Sequence, residues 1–123
     1  MNAATPTSPL KTSQAMTGAE IVVKVLADEG VDVIFGYSGG AILPTYDAVF
    51  RYNQANAGAD GKEPMPLIVP ANEQAAGFMA AGYARASGKV GVALVTSGPG
   101  ATNTVTPVRD CMADSIPIVV ICG

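Results

Sequence analysis

The chain has 123 residues, 49% of them apolar and 14% charged, with seven basic and ten acidic side chains giving a net charge of −3. That balance describes one globular domain able to bury a core, and it excludes disorder, two independent domains and a basic surface for nucleic acid. There is no histidine, so His triads, His general bases and His-containing metal sites are excluded, and acid–base work falls to carboxylates, Tyr, Lys, Cys or a cofactor.

Residues 1–15, MNAATPTSPLKTSQA, are polar and rich in Pro, Thr and Ser, with one Lys, no Arg and no apolar core. They read as a disordered leader rather than a targeting peptide, and the expected location is cytoplasmic. At Thr17 a capping box, Thr17-Gly18-Ala19-Glu20, predicts a helix. Its apolar positions are Ile21, Val22, Val25 and Leu26, and Gly30 closes it. Val31 to Phe35 reads as a strand running into Gly36-Tyr37-Ser38-Gly39-Gly40. A second helix is expected over Ala41 to Tyr52, with Pro44 in its first turn and Ile42, Leu43, Tyr46, Val49 and Phe50 inward.

The polar, turn-rich stretch Asn53 to Met65 reads as a surface loop, and Leu67-Ile68-Val69 as a short strand. A third helix is expected from Glu73 to Ser87 with Gly88 as its cap, then a strand over Val90 to Thr96 and the turn Ser97-Gly98-Pro99-Gly100. The fourth helix is placed over Ala101 to Met112, kinked by Pro107, and the last strand over Ile116 to Cys122. Phe78 and Met79 are assigned to the core, Tyr83 to packing and Arg85 to the surface. Asp28-Glu29 and Arg109-Asp110 are taken as solvated helix-end charges. Cys111 and Cys122 lie in apolar stretches with no CxxC spacing and read as small buried hydrophobes of a reducing compartment. No apolar run reaches the roughly 18 residues of a membrane span.

Alternation of helices with nearly continuous apolar strands predicts an α/β fold, a parallel sheet covered by helices on both faces with right-handed crossovers. The last apolar strand ends at Gly123 with no helix after it, so the fold is expected to be incomplete at the C-terminus. In such sheets ligands bind beyond the carboxyl ends of the strands. GYSGG, Pro70-Ala71-Asn72-Glu73 and SGPG all fall at that edge and can line one crevice, where glycine lets a backbone approach a ligand closely. Glu73 at a helix start is favoured as a charge by the dipole, and an apolar ligand over it opposes that charge, so it is a candidate proton relay. Each feature also has an ordinary structural reading: glycine-rich turns punctuate many folds, a first-turn Glu often only complements the dipole, and neither turn matches a GxGxxG or Walker pattern.

Three segments, MTGAEIVVKVLADEGVDVIFGYSGGAILPTYDAVF, NEQAAGFMAAGYARASGKVGVALVTSGPGATNTVTPVRD and ADSIPIVVICG, together resemble the amino-terminal part of the acetohydroxyacid (acetolactate) synthase catalytic subunits, a family of thiamine-diphosphate enzymes. The likeness runs from Met16 to Gly123 apart from the central loop. It implies a partial pyrimidine-binding domain over 16–123, with flavodoxin-like layers, whose cofactor is shared across the interface of a homo-oligomer. It maps the family's catalytic glutamate onto Glu73, which would hydrogen-bond the pyrimidine N1′ and promote proton removal from the thiazolium C2. Pro99 and Asn103 would approach the pyrimidine, with Tyr37, Gly39 and Gly40 bordering the reacting carbon. The implied reaction is a transferase step of branched-chain amino-acid biosynthesis, joining pyruvate after decarboxylation to a second 2-oxoacid, pyruvate or 2-oxobutyrate.

The same resemblance implies Mg2+ and FAD in a longer parent, whose sites are absent from this segment, and a possible regulatory subunit. The segment alone is then expected to be inactive. Asn72 stands where the family commonly has His, and Ser38 where it often has Pro. Two other readings share these residues, another thiamine-diphosphate decarboxylase or oxidase and a non-catalytic flavodoxin-like module.

Overall fold

The structure, a computed structural model, describes residues 15–123, so all but the last residue of the expected leader lies outside the described residues. The capping box at Thr17 forms as expected: Thr17 Oγ1 accepts from the Glu20 N–H while a Glu20 oxygen accepts from the Thr17 N–H at 2.7 Å. Helix α1 follows, Gly18–Asp28. Its inward face is Val23 and Leu26 with Val22 beside them, whereas Ile21 and Val25 point to solvent, about half exposed. Strand β1 is Ile34–Tyr37, beginning later than the β-branched run suggests. A single 3-10 turn, Gly40–Ile42, leads into helix α2, Leu43–Asn56. Ile42 and Val49 are buried there, but Leu43 and Phe50 are exposed, contrary to expectation.

Beyond the exposed residues 54–64 come strand β2, Leu67–Ile68, and helix α3, Glu73–Ser87, which Gly88 ends in the left-handed conformation at φ 73°. Strand β3, Gly91–Val95, follows. The predicted fourth helix is two pieces, α4, Pro99–Thr102, and α5, Val105–Asp114. Pro107 causes the break four residues upstream of itself. In a continuous helix its ring would collide with the carbonyl of residue 103 and offer that carbonyl no N–H. The chain therefore turns at Asn103-Thr104, and Pro107 enters the first turn of α5, where no intrahelical N–H is needed. Strand β4, Ile118–Cys122, completes the described fold.

All four strands are parallel, in the order β2-β1-β3-β4. Alternation along the strands divides the core. Ile34, Val92 and Leu94 face α1 and α2, meeting Val23, Leu26, Ile42, Ala48 and Val49. Phe35 and Ala93 face the other side, against Ala76 and Ala80 of α3. The expected parallel sheet covered by helices on both faces is thus present.

Helix α3 reaches its sheet by small residues. Ala76, Gly77, Ala80, Ala81 and Ala84 are all buried. A methyl on Gly77 would lie 2.5 Å from Cγ of Pro107, so α5 rests directly on α3. Phe78 and Met79 project outward instead, 40% and 38% exposed, because they fall on the face of α3 opposite this alanine surface. Cys111 is buried, which pushes its thiol up, while Cys122 is exposed on β4. The pairing of both as buried hydrophobes holds for Cys111 alone.

The surface loop is anchored at both ends, where expectation had it wholly exposed. Asn53, on the last turns of α2 and 4% exposed, donates from Nδ2 to the Met65 carbonyl at 2.8 Å and accepts the Met65 N–H at 3.0 Å. Asn53→Ala leaves both Met65 backbone groups unpaired in a buried place, an expected loss of about 3 kcal/mol measurable as a lower urea midpoint.

Of the expected solvated helix-end charges, Asp28 pairs with Lys24, and Asp110, with Asp114, pairs with Arg85, all at exposed sites, so these charges stay in solvent. At the amino end of the sheet, Asp32 accepts from the Lys89 ammonium and the Tyr83 hydroxyl, and these bonds hold its carboxyl below the usual range. A depressed folded pKa contributes stability above the unfolded value of about 3.9 and loses it as the pH falls through the folded value. The Asp32 side chain is 47% exposed, so the expected effect is small. Asp32→Asn lowers the urea midpoint at neutral pH, and the gap to the parent closes in acid.

Candidate functional site

Because the strands are parallel, the segments after β1, β2 and β3 emerge at one edge of the sheet, and there the predicted residues gather. Asn72 caps α3, its Oδ1 accepting the Ala75 N–H at 2.8 Å, so the side chain that departs from the family pattern has a local structural task. Glu73 is therefore the first residue of the helix proper, and it is buried, 8% exposed. A dipole-complementing surface glutamate would stand in water; this one is enclosed by the segment after β3.

Asn103 Nδ2 donates to Glu73 Oε2 at 2.9 Å. Gly100 lies at the other oxygen, where a methyl would sit 3.4 Å from Oε1. Among the described residues no donor bonds Glu73 Oε1 and no buried side-chain oxygen lacks a partner, so Oε1 reaches solvent. The carboxylate has one oxygen held and one free. A ligand with a ring nitrogen or other proton-sharing atom at this edge would meet Oε1.

Two residues that sequence reasoning did not place in the site shape it. Thr96 fills the space between two loops: a methyl on Gly39 would lie 2.4 Å from its Cγ2, and one on Gly100 2.7 Å. Glycine at these positions thus serves loop-to-loop packing. Tyr46 donates its hydroxyl to the Leu94 carbonyl at 3.2 Å. Burial, and secondly the charge of Glu73, push its phenol up to about 12, so it stays a neutral donor. Its apolar-face spacing showed that it points inward, but no sequence signal marks a phenol on a strand carbonyl.

The remaining candidates share the edge without touching Glu73. Tyr37 ends β1 and is 36% exposed, Gly40 opens the 3-10 turn, and Pro99 starts α4. Gly40 and Gly98 have open space where a side chain would be, and Gly98 holds φ +65°, a conformation that favours glycine. An exposed backbone beside a buried carboxylate with one free oxygen fits the flat, nitrogen-bearing ring of a thiamine-type cofactor. No group of three metal-ligating side chains occurs among the described residues.

Two cavities lie elsewhere. One of about 600 Å³ separates α1 from α2, and one of about 330 Å³ lies by Asp32 at the amino end of the sheet. Neither is lined by Glu73. Among the described residues no helix is long and apolar enough to cross a membrane.

Comparison with known proteins agrees with this geometry. The family model described as "Thiamine pyrophosphate enzyme, N-terminal TPP binding domain" matches residues 16–123. The chain is 52% identical over 108 residues to the mitochondrial acetolactate synthase catalytic subunit of Saccharomyces cerevisiae, covering 88% of this chain and 14% of that protein. It is 50% identical over 110 residues to the acetolactate synthase of Mycobacterium bovis, covering 89% and 16%. Against the acetolactate synthase large subunit of Lactococcus lactis identity is 44% over 114 residues, covering 93% and 18%. The chain thus spans less than a fifth of the length of these relatives. With its parallel sheet, its buried edge glutamate and a match over nearly all described residues, the chain belongs to the thiamine pyrophosphate enzyme family, as an N-terminal TPP-binding domain.

Proposed function

We propose that this chain is the pyrimidine-binding part of an acetolactate synthase catalytic subunit, a transferase that joins decarboxylated pyruvate to pyruvate or 2-oxobutyrate in branched-chain amino-acid biosynthesis. The observation that carries the reading is Glu73, a buried carboxylate at the ligand edge of a parallel sheet with Oε1 free and Oε2 held by Asn103. The three named relatives support the choice of reaction.

Bound thiamine diphosphate would supply the carbanion chemistry that no side chain here can perform. The protein's share is to bind, orient and move one proton. Glu73 Oε1 would hold and release a proton towards the ring nitrogen N1′, a task that takes an acidic group in a fixed place rather than a histidine. Pro99 and Asn103 would border the ring, and Tyr37, Gly39 and Gly40 would flank the approach of the 2-oxoacid. Gly98 and Gly40 leave room for the ligand against bare backbone.

The family resemblance supports a cofactor shared across the interface of a homo-oligomer, and the relatives' names, catalytic or large subunit, support a regulatory subunit as a further partner. Magnesium and FAD belong to parts of the parent beyond this segment. The test is the rate of deuterium exchange at C2 of the bound cofactor in the full-length protein. It should fall in Glu73→Gln, and the 123-residue chain alone should leave exchange at its rate in solution. Exchange unaffected by Glu73→Gln would refute the reading.

A further inference from the structure

Only one oxygen of Glu73 is available to a ligand, and the reason lies two elements away. The break between α4 and α5 leaves Asn103 as the last residue before a turn, its backbone held by its N–H to Pro99 O at 3.0 Å, and Thr104 locked behind it by its hydroxyl on the Ala101 carbonyl at 2.6 Å. With the backbone fixed on both sides, the Asn103 amide projects back to α3 and meets Glu73 Oε2.

An amide N–H can only donate. The oxygen that accepts from it keeps a second lone pair but is made less basic, so a proton on the carboxyl is favoured on the other oxygen. We infer that Asn103 is a positioning residue for Glu73: by donating to Oε2 it favours the exchangeable proton of the carboxyl on Oε1, the oxygen open to the ligand. This rests on the proposed role of Glu73 and adds to it a second residue that acts through the carboxylate. The role is particular to the Asn amide. Asp at this position has the same outline but no donor, and sets a second carboxylate against the first.

The experiment uses the full-length protein with thiamine diphosphate and magnesium, and reads two quantities: C2 deuterium exchange, and the cofactor dissociation constant by calorimetry. Asn103→Ala and the isosteric Asn103→Asp should each slow exchange by about tenfold or more, the loss expected for one hydrogen bond to a charged group. The loss in Asn103→Ala should persist at saturating cofactor, where a residue that served only to hold the ring would show none. In a Glu73→Gln background, adding Asn103→Ala should change exchange no further, since a residue that acts only through Glu73 has nothing left to act on.

Parent-like exchange in both Asn103 variants, alongside slowed exchange in Glu73→Gln, overturns the inference and leaves the reading of Glu73 intact. A further drop in the double variant, or parent-like exchange in Asn103→Ala once the cofactor is saturating, overturns it in favour of contact with the ring alone. Unaltered exchange in Glu73→Gln removes both. A fall in unfolding temperature for Asn103→Ala with exchange preserved assigns Asn103 to structure alone and also overturns the inference.

Discussion

Glu73→Gln is expected to slow C2 deuterium exchange in the full-length protein by at least about a hundredfold, the lower end of what a positioned acid–base group contributes. The substitution is close to isosteric. Glutamine keeps a carbonyl oxygen that can accept from Asn103 Nδ2 as Oε2 does. It still follows the Asn72 cap, so α3 begins where it did. What disappears is a group that can hold a proton at one moment and release it at the next. The helix start also loses a negative charge, worth about 0.3–1 kcal/mol. The expected signature is therefore a split: exchange collapses, while the thermal unfolding midpoint moves only slightly.

Gly91→Ala should act in the opposite manner, through stability first. A methyl there would lie 2.1 Å from the Ala80 carbonyl oxygen and 2.7 Å from its carbon. Both are backbone atoms, so no side chain can swing aside. Strand β3 is bonded on both edges, to β1 and β4, and cannot retreat within the sheet. Helix α3 must lift instead, opening the contact of Ala76 and Ala80 with Phe35 and Ala93. Overpacking of a core costs about 1–3 kcal/mol where side chains can adjust, and here the upper figure or more is expected. Urea denaturation measures it, with a lower midpoint at unchanged slope. Because α3 carries Glu73 at its start, C2 exchange should fall as well, though less than in Glu73→Gln.

The sequence was legible where local chemistry decides. The capping box at Thr17, the left-handed Gly88 and the parallel alternation all follow from short-range rules, and they placed Glu73 at the ligand edge. Reading failed where a partner element decides. Phe78 and Met79 have core composition, but the sheet faces the alanines of α3 and leaves them outside. Pro107 announced a disturbance in the fourth helix; its location, at residue 103, follows from the carbonyl its ring would strike. Asn53 looked like loop, yet pairing with Met65 across the loop buries it. The Asn103–Glu73 bond joins residues thirty positions apart and has no local trace, although the resemblance brought both to one ligand.

The surface by which α3 meets the sheet has a thermal consequence. Alanine and glycine have no rotamers to lose on packing, and none to explore afterwards. A seat of leucines can absorb a displacement by trading one set of torsions for another; a seat of Ala76, Gly77, Ala80 and Ala84 offers no such exchange. The helix is then docked in one position or undocked. Its first residue inherits that stiffness, and a ligand arriving at the edge must meet the Glu73 backbone where it already stands.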